Sequence, residues 1–241
     1  EISRSLVGSE MCIRDRAEVT QVELAGQVKT IHTSGGDYQA RTVVLATGAH
    51  PRELGLPGER ELRGRGVSYC ATCDGMFYRG KTVVVVGGGN TAVSDVLYLS
   101  RLCEKVYLVH RRDTLRASKV YLDPLQKAEN VEFVWDSEVK QLLRDQAVTG
   151  VRVRNKKTGE ERDIPCDGVF VAVGYLPNTE LYRGQVELDE AGYVLADETT
   201  QTNLPGVFAV GDLRKKPLRQ VVTAASDGAV AAHFIEEYLN Q

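Results

Sequence analysis

The hydrophobic positions follow two patterns along the chain. From Ala17 to Val44, single apolar residues alternate with polar ones around glycine turns. This alternation is typical of half-buried strands and predicts a β-meander. Uninterrupted apolar runs are instead typical of strands buried on both faces of a parallel sheet. Such runs occur at Thr42–Ala46, Thr82–Val86 and Val169–Val173.

Further strands and several helices are predicted between these runs. The predicted strands are Lys105–Val109, Val131–Trp135 and a β-ribbon from Val139 to Arg154, and the predicted helices are Thr91–Leu102, Ser118–Ala128 and Gln220–Leu239. Pro51–Gly66 is rich in glycine, proline and arginine, so we interpret it as a linker with one short turn. Strands that alternate with helices predict an α/β fold with a parallel sheet.

The composition narrows the class of protein. The 241 residues are 42% hydrophobic with a net charge of −3, which is ordinary for a globular protein and argues against a general nucleic-acid binder. No apolar run approaches the roughly 18 residues of a membrane helix. The 5 cysteines are scattered except for one close pair, unlike the disulfide framework of a small secreted domain. We therefore expect a cytoplasmic protein without nucleic-acid or membrane partners.

The N-terminal segment Glu1–Arg16 differs from the rest of the chain. It has no hydrophobic periodicity and lacks the apolar centre of a signal peptide. Its stretch Ser5–Arg16 resembles translated adapter sequence from read assembly, so we expect residues 1–16, with Cys12, to be non-native. The alternative is a genuine disordered tail.

A glycine-rich turn follows the all-valine strand and precedes a predicted helix. The segment Gly87–Ala92 fits the pattern G-x-G-x-x-G/A in the required strand–turn–helix context. In such a turn, Gly87 permits the tight bend, Gly89 lets a pyrophosphate approach the backbone, and a small residue such as Ala92 permits close packing. The candidate dinucleotide-binding residues are Gly87, Gly89, Asn90, Thr91 and Ala92.

The next strand ends in a basic segment that favours NADPH over NADH. An NAD site would place an acidic residue there for the ribose 2′-hydroxyl, whereas this chain has His110, Arg111 and Arg112, with Arg116 one helical turn later. Guanidinium groups bind a 2′-phosphate bidentately. The alternatives are a solvated basic turn and, for His110, a structural cap.

The close cysteine pair, Cys70 and Cys73, has the spacing C-x-x-C. Two thiols at this spacing can close a small disulfide, and the spacing lowers the pKa of one of them. A zinc site would need a second Cys/His pair, and Cys103 and Cys166 are isolated in the sequence, so we predict no metal site. Asp74 is a candidate proton donor and acceptor, or alternatively a turn residue.

Two other segments are candidate flavin contacts. Thr47 and Gly48 follow a buried strand, and Gly211 and Asp212 end another predicted strand, where a carboxylate can bind sugar hydroxyls. Each segment taken alone could be an ordinary strand-to-loop transition, so the pattern by itself does not establish flavin binding.

The ordered set of motifs resembles the bacterial-type, low-molecular-weight thioredoxin reductases. The resemblance runs from about Ala17 to the C-terminus, and its motifs are Ala46–Ala49, Cys70–Gly75, Gly87–Ala92, His110–Asp113 with Arg116, Gly174–Thr179, and Gly211–Asp212 with Arg219–Gln220. It implies two Rossmann-like, three-layer dinucleotide-binding domains. An NADPH domain at 53–174 would be inserted into an incomplete FAD domain formed by 17–52 and 175–241, with hinges near Pro51-Arg52 and Gly174-Tyr175.

The resemblance also implies a reaction, in which NADPH reduces FAD and the flavin reduces the disulfide. Cys73 would face the flavin, Cys70 would attack the thioredoxin disulfide, and Asp74 would be the acid/base. Arg111, Arg112 and Arg116 match the positions that hold the 2′-phosphate. Further positions matching cofactor contacts are Gly174, Asp212, Arg219, Gln220 and Val221. Members of the family rotate one domain against the other and are expected to be homodimers.

One departure from the family pattern is serious. The second G-x-G-x-x-G expected near the N-terminus, for FAD, does not occur in this sequence. We therefore expect a truncated gene product that binds FAD poorly. The alternatives are a flavoprotein reductase serving a peroxidase or another dithiol protein, and a nucleotide-binding module without turnover. The Cys-Ala-Thr-Cys sequence favours the thioredoxin type, and the pair excludes the related ferredoxin reductases.

Overall fold

The computed structural model describes residues 16–241, so the segment expected to be non-native lies, apart from Arg16, outside the described residues. The chain divides by its internal contacts into two units. One, here the central unit, is Pro51–Tyr175, and the other, here the terminal unit, joins the residues up to His50 with Leu176–Gln241.

The described residues form strands and four α-helices. The strands are β1 (Val19–Glu23), β2 (Lys29–Thr33), β3 (Gly36–Ala40), β4 (Val43–Leu45), β5 (Ala49–Pro51), β6 (Val67–Ser68), β7 (Thr82–Gly87), β8 (Lys105–Val109), β9 (Val131–Val134), β10 (Ser137–Arg144), β11 (Val148–Asn155), β12 (Glu161–Pro165), β13 (Gly168–Ala172), β14 (Tyr175–Pro177) and β15 (Val207–Ala209). The α-helices are α1 (Ala71–Asp74), α2 (Asn90–Leu99), α3 (Lys119–Gln126) and α4 (Val221–Leu239). Short 3₁₀ helices cover Gly75–Tyr78, Glu180–Tyr182 and Gly211–Leu213.

The central unit is built on a five-stranded parallel sheet in the order β6-β13-β7-β8-β9. Successive side chains of a strand point to opposite faces, and both faces of β7 are covered. Val83 and Val85 pack against α2, whereas Val84 and Val86 pack on the opposite side with the antiparallel sheet β10-β11-β12. Burial on both sides explains the uninterrupted valine run, and the predicted α/β class is confirmed.

The structure adds to two sequence-based predictions for the central unit, of which the β-ribbon Val139–Arg154 is confirmed as the pair β10–β11. The predicted β-ribbon has a third strand, β12, in which only Ile164 is buried, so the strand carries almost no hydrophobic signal. The predicted linker contributes Leu62 to the core, and its buried Glu59 accepts hydrogen bonds from the backbone N–H groups of Leu54, Gly55 and Leu56. These bonds order the segment in spite of its glycine and proline content.

The terminal unit contains the predicted meander as the antiparallel sheet β1-β2-β3. Beside it, β4 and β15 form a parallel pair, and Phe208 of β15 packs with Ala231 and Phe234 of α4. Within residues 16–241, no helix combines the length and the hydropathy required of a membrane span.

Candidate functional site

The glycine turn of the central unit joins β7 to α2 at the carboxyl edge of the sheet. A Cβ on Gly87 would lie 2.7 Å from the Cβ of Ala92 and still closer to the carbonyl oxygen of Ala172. Gly87 and the fully buried Ala92 therefore let α2 pack directly against β7 and β13.

Gly88 and His110 are packed against each other behind this turn. A Cβ on Gly88 would overlap the His110 imidazole, which is buried at the end of β8. Burial lowers the pKa of His110, which keeps the ring neutral at neutral pH. In the described chain its Nε2 atom is buried without a hydrogen-bond partner. The packing role was not evident from the sequence, because Gly88 is the variable position of the motif.

The N-terminus of α2 is open beside Gly89. Gly89 is the N-cap, with no side-chain capping hydrogen bond, and a Cβ placed on it would meet nothing within 4 Å. The first turn of this helix therefore offers backbone N–H groups to an anion. The Asn90 side chain instead accepts the Ser118 N–H, and the Arg116 N–H donates to the Gly88 carbonyl oxygen at 2.8 Å, so the basic loop is tied to the turn.

A cavity of about 530 Å³ lies at this edge of the sheet. Its lining includes most of the predicted nucleotide-binding positions, namely Gly87, Gly89, Thr91, His110, Arg111, Arg116 and Gly174. Asn90, Ala92 and Arg112 do not belong to the lining. The cavity lies at the carboxyl ends of the neighbouring parallel strands β7 and β13, and open α/β sheets bind their ligands outside the carboxyl ends of their strands.

Two alanine substitutions should separate packing from ligand binding. We expect Gly87→Ala to destabilise the protein by about 1–3 kcal/mol or more, because the new methyl group has no room. Gly89→Ala should leave the melting temperature nearly unchanged and weaken binding of the predicted dinucleotide about tenfold or more, because its methyl group occupies open space beside α2. Thermal unfolding and calorimetric titration measure the two effects. Equal losses of stability in Gly87→Ala and Gly89→Ala would contradict the assignment of Gly87 to packing and of Gly89 to ligand binding.

The cysteine pair lies between β6 and α1. Cys70 and Cys73 are joined by a disulfide; Cys70 is half-buried and Cys73 is exposed. The Cys73 N–H donates to the Sγ atom of Cys70 at 3.2 Å, and the Thr72 hydroxyl lies 3.4 Å from the same sulfur. Hydrogen bonds to a sulfur favour its thiolate form after reduction.

Asp74 follows Cys73 in the sequence, and its carboxylate is anchored by a residue that the sequence did not indicate. The hydroxyl group of Ser68 donates to Asp74 Oδ2 at 2.7 Å, and the Asp74 N–H donates to the Cys70 carbonyl oxygen at 3.1 Å. Ser68 precedes the motif, so inspection of the C-x-x-C-D pattern alone passes over it.

The other two described cysteines belong to the core. Cys103 and Cys166 are buried, and burial raises their pKa values to about 11 and about 12. Such thiols are unreactive at neutral pH.

In the terminal unit, Thr47 and Gly48 are tied to the turn after β14. The Thr47 hydroxyl donates to the Asn178 carbonyl oxygen at 2.6 Å, and the Asn178 N–H donates to the Gly48 carbonyl oxygen at 3.0 Å. Gly48 has a φ of +67°, which favours glycine at this bend.

The segment that begins at Gly211 is anchored by a buried carboxylate. Asp227 of α4 accepts the Gly211 N–H at 2.8 Å and pairs with Arg214 at 3.0 Å and Lys216 at 2.6 Å. Burial disfavours its charge, but these partners favour it more, so the pKa of Asp227 lies below its usual value. Asp212 Oδ1 is buried and, within residues 16–241, has no hydrogen-bond partner. That oxygen is available to a ligand hydroxyl.

Arg219, Gln220 and Val221 follow on the same segment. The Arg219 guanidinium lies 4.0 Å from the centre of the Tyr193 ring, and its Nε donates to the Asp212 carbonyl oxygen at 3.3 Å. Gln220 caps α4 through a reciprocal capping box with Thr223, and Val221 is 87% exposed. The structure therefore brings Asp212 and Arg219 into contact.

Comparison with known proteins gives consistent matches. Residues 4–228 match the family described as pyridine nucleotide-disulphide oxidoreductase. A thioredoxin reductase of Streptomyces coelicolor is 46% identical over 92% of this chain and 70% of its own length. One of Mycolicibacterium smegmatis is 48% identical over 95% of this chain and 76% of its own length. The crystal structure of thioredoxin reductase from Streptococcus pyogenes superposes with a TM-score of 0.85 at 43% identity, covering 93% of this chain and 74% of that one.

Proposed function

Because this chain belongs to the pyridine nucleotide-disulphide oxidoreductase family, among its thioredoxin reductases, we propose that it reduces the disulfide of thioredoxin with electrons from NADPH, passed through FAD to the Cys70–Cys73 pair. The observation that carries the proposal is that the central unit combines a disulfide with an uncapped glycine turn beside a nucleotide-sized cavity. The assignment of 53–174 to NADPH and of 17–52 with 175–241 to FAD stays a prediction, as do the homodimer and the cytoplasmic location.

The lining of the cavity fits NADPH. The open N-terminus of α2 beside Gly89 suits the pyrophosphate, because unsatisfied N–H groups and the helix dipole both favour an anion. Arg111 and Arg116 line the same cavity and suit a 2′-phosphate. The unpartnered Nε2 of His110 is a further polar contact for the cofactor.

Residues of the terminal unit fit part of a flavin nucleotide. The unpartnered Oδ1 of Asp212 can accept a hydrogen bond from a sugar-type hydroxyl, and the clamp on Gly211 holds that carboxylate in place. When bound, the flavin supplies the transfer of two electrons from NADPH to the disulfide.

The cysteine pair then carries the two electrons to thioredoxin. Reduction of the Cys70–Cys73 bond takes up two electrons and two protons and produces two thiols. The Cys70 thiolate attacks one thioredoxin sulfur and expels the other, after which the Cys73 thiolate attacks Cys70 Sγ and releases reduced thioredoxin. Asp74 holds and returns the proton that each thiol loses or gains. The net reaction converts NADPH, a proton and a disulfide into NADP⁺ and a dithiol.

An apolar surface next to the disulfide supports a protein substrate. Met76 and Phe77, in the 3₁₀ helix after α1, are 53% and 74% exposed. Aromatic and methionine side chains are enriched at the centres of protein interfaces. We therefore expect thioredoxin to cover these two side chains when its disulfide reaches Cys70.

A thiol-transfer experiment tests the function without added flavin. The chain is reduced with dithiothreitol, desalted, mixed with oxidised thioredoxin and quenched with an alkylating agent. We expect one thioredoxin dithiol to form for each Cys70–Cys73 disulfide that is regenerated, as measured by mass spectrometry. Absence of transfer would contradict the proposal.

A second experiment tests the cofactors. With FAD added, oxidation of NADPH should depend on thioredoxin. Comparable rates of oxidation of NADH would contradict the assignment of NADPH as the electron donor.

A further inference from the structure

Ser68 lies at the end of β6, where it is 4% exposed, and joins the two parts of the dithiol site. Its Oγ atom accepts the Cys70 N–H at 3.1 Å and lies 2.7 Å from Asp74 Oδ2 and 3.4 Å from the Cys70 carbonyl oxygen. One buried hydroxyl therefore contacts the backbone of Cys70 and the carboxylate of Asp74.

The hydroxyl has a single proton and two acceptors within reach. While Asp74 is ionised, the proton belongs on the shorter bond to Oδ2, because a charged acceptor is the stronger one. When Asp74 takes up a proton, its O–H can donate to Ser68 Oγ, and the serine proton can turn to the Cys70 carbonyl oxygen at 3.4 Å. Both protonation states are satisfied without movement of a backbone atom.

We propose that Ser68 is a positioning residue that holds the Asp74 carboxylate beside the dithiol in both protonation states. The inference rests on the acid/base role of Asp74 in the proposed function. A carboxylate that exchanges protons with a thiol must keep its place through each cycle, since misplacement by about 1 Å can cost two orders of magnitude in rate.

Other titratable groups surround Asp74 and enter any pH profile. They are Cys70 and Cys73 of the pair and Tyr78 of the following 3₁₀ helix, whose pKa is raised by burial and by the Asp74 charge. Tyr98 of α2 packs against the neighbouring Gly75. A rate profile measured on one variant alone therefore does not isolate the contribution of Asp74.

A double-mutant cycle isolates the contribution of Ser68. Transfer from the dithiothreitol-reduced chain to oxidised thioredoxin is timed between about pH 5 and pH 9 for Ser68→Ala, Asp74→Asn and the double variant. We expect Ser68→Ala to slow transfer about tenfold and to change the shape of the pH profile. In the Asp74→Asn background the same substitution should have no effect on either, because Ser68 acts through Asp74.

Two further variants serve as controls. Ser100→Ala removes a half-buried hydroxyl that bonds to the Leu97 carbonyl oxygen at the end of α2, and should leave the transfer rate unchanged. Ser68→Thr keeps the hydroxyl and should restore the wild-type pH profile. Melting temperatures measured in parallel separate a change of rate from a loss of folded protein.

The outcomes distinguish this inference from the proposed function. A wild-type rate for Ser68→Ala, or independent multiplicative effects in the cycle, would overturn the role of Ser68 while leaving the reductase intact. No effect of Asp74→Asn would overturn both the role of Ser68 and that of Asp74. Failure of the unsubstituted chain to transfer electrons to thioredoxin would refute the proposed function itself, and with it this inference.

Discussion

Cys73→Ser is expected to abolish turnover and to leave Cys70 joined to thioredoxin. Cys70 can still attack the thioredoxin disulfide, but no second thiol of this chain remains to release reduced thioredoxin. The thioredoxin thiol expelled in the attack can only reverse the step, so the mixed disulfide is trapped by alkylating that thiol. The pair is one disulfide in the structure, so Cys73 is within reach of the Cys70 sulfur and can displace thioredoxin from it. Non-reducing gel electrophoresis and mass spectrometry of the alkylated sample measure the adduct, which we expect with Cys73→Ser.

The reciprocal variant, Cys70→Ser, tests which of the two cysteines attacks thioredoxin. Cys70→Ser should form little adduct, because the proposed reaction assigns the attack on thioredoxin to Cys70. Cys103→Ala replaces a buried free thiol in the core and should transfer electrons at the wild-type rate. An adduct with Cys70→Ser and none with Cys73→Ser would exchange the roles of the two cysteines. No adduct with either variant would contradict dithiol transfer altogether.

Loss of Arg111 and Arg116 together is expected to remove the preference for NADPH. Both side chains line the cavity but are exposed, so solvent weakens each contact, and we expect about a tenfold loss of NADPH affinity for each arginine. The double alanine variant should bind NADPH about a hundredfold more weakly and NADH almost unchanged, because NADH lacks the 2′-phosphate. Calorimetric titration with both nucleotides measures the ratio.

Two single substitutions complete the design. Arg101→Ala removes an exposed arginine that is not part of the cavity lining and should change neither affinity. Arg112 is the one arginine predicted to bind the phosphate that does not line the cavity. A tenfold loss of NADPH affinity in Arg112→Ala would nevertheless assign Arg112 to the binding site. Equal affinity of the unsubstituted protein for NADH and NADPH would refute the arginine assignment.

The sequence alone determined the features whose physical requirements are local. A strand buried on both faces needs consecutive apolar residues, so Val83–Val86 identified β7 directly. The glycine turn and the cysteine pair depend on residues a few positions apart, so their chemistry was evident from spacing. The same locality located the helix α4, whose apolar residues repeat at helical intervals along a single segment.

Only the tertiary structure decided which polar atoms pair with one another around these features. Glu59 orders a segment that its composition marked as a linker, Asp227 anchors Gly211 from a helix sixteen positions away, and Ser68 holds Asp74 from the preceding strand. Each contact joins polar atoms whose partners depend on how the chain folds back, and a buried polar group requires such a partner. Residue type and spacing alone do not show which polar groups become hydrogen-bond partners. The motifs therefore predicted the chemical groups of the site, whereas the tertiary contacts around the motifs determined how those groups are positioned.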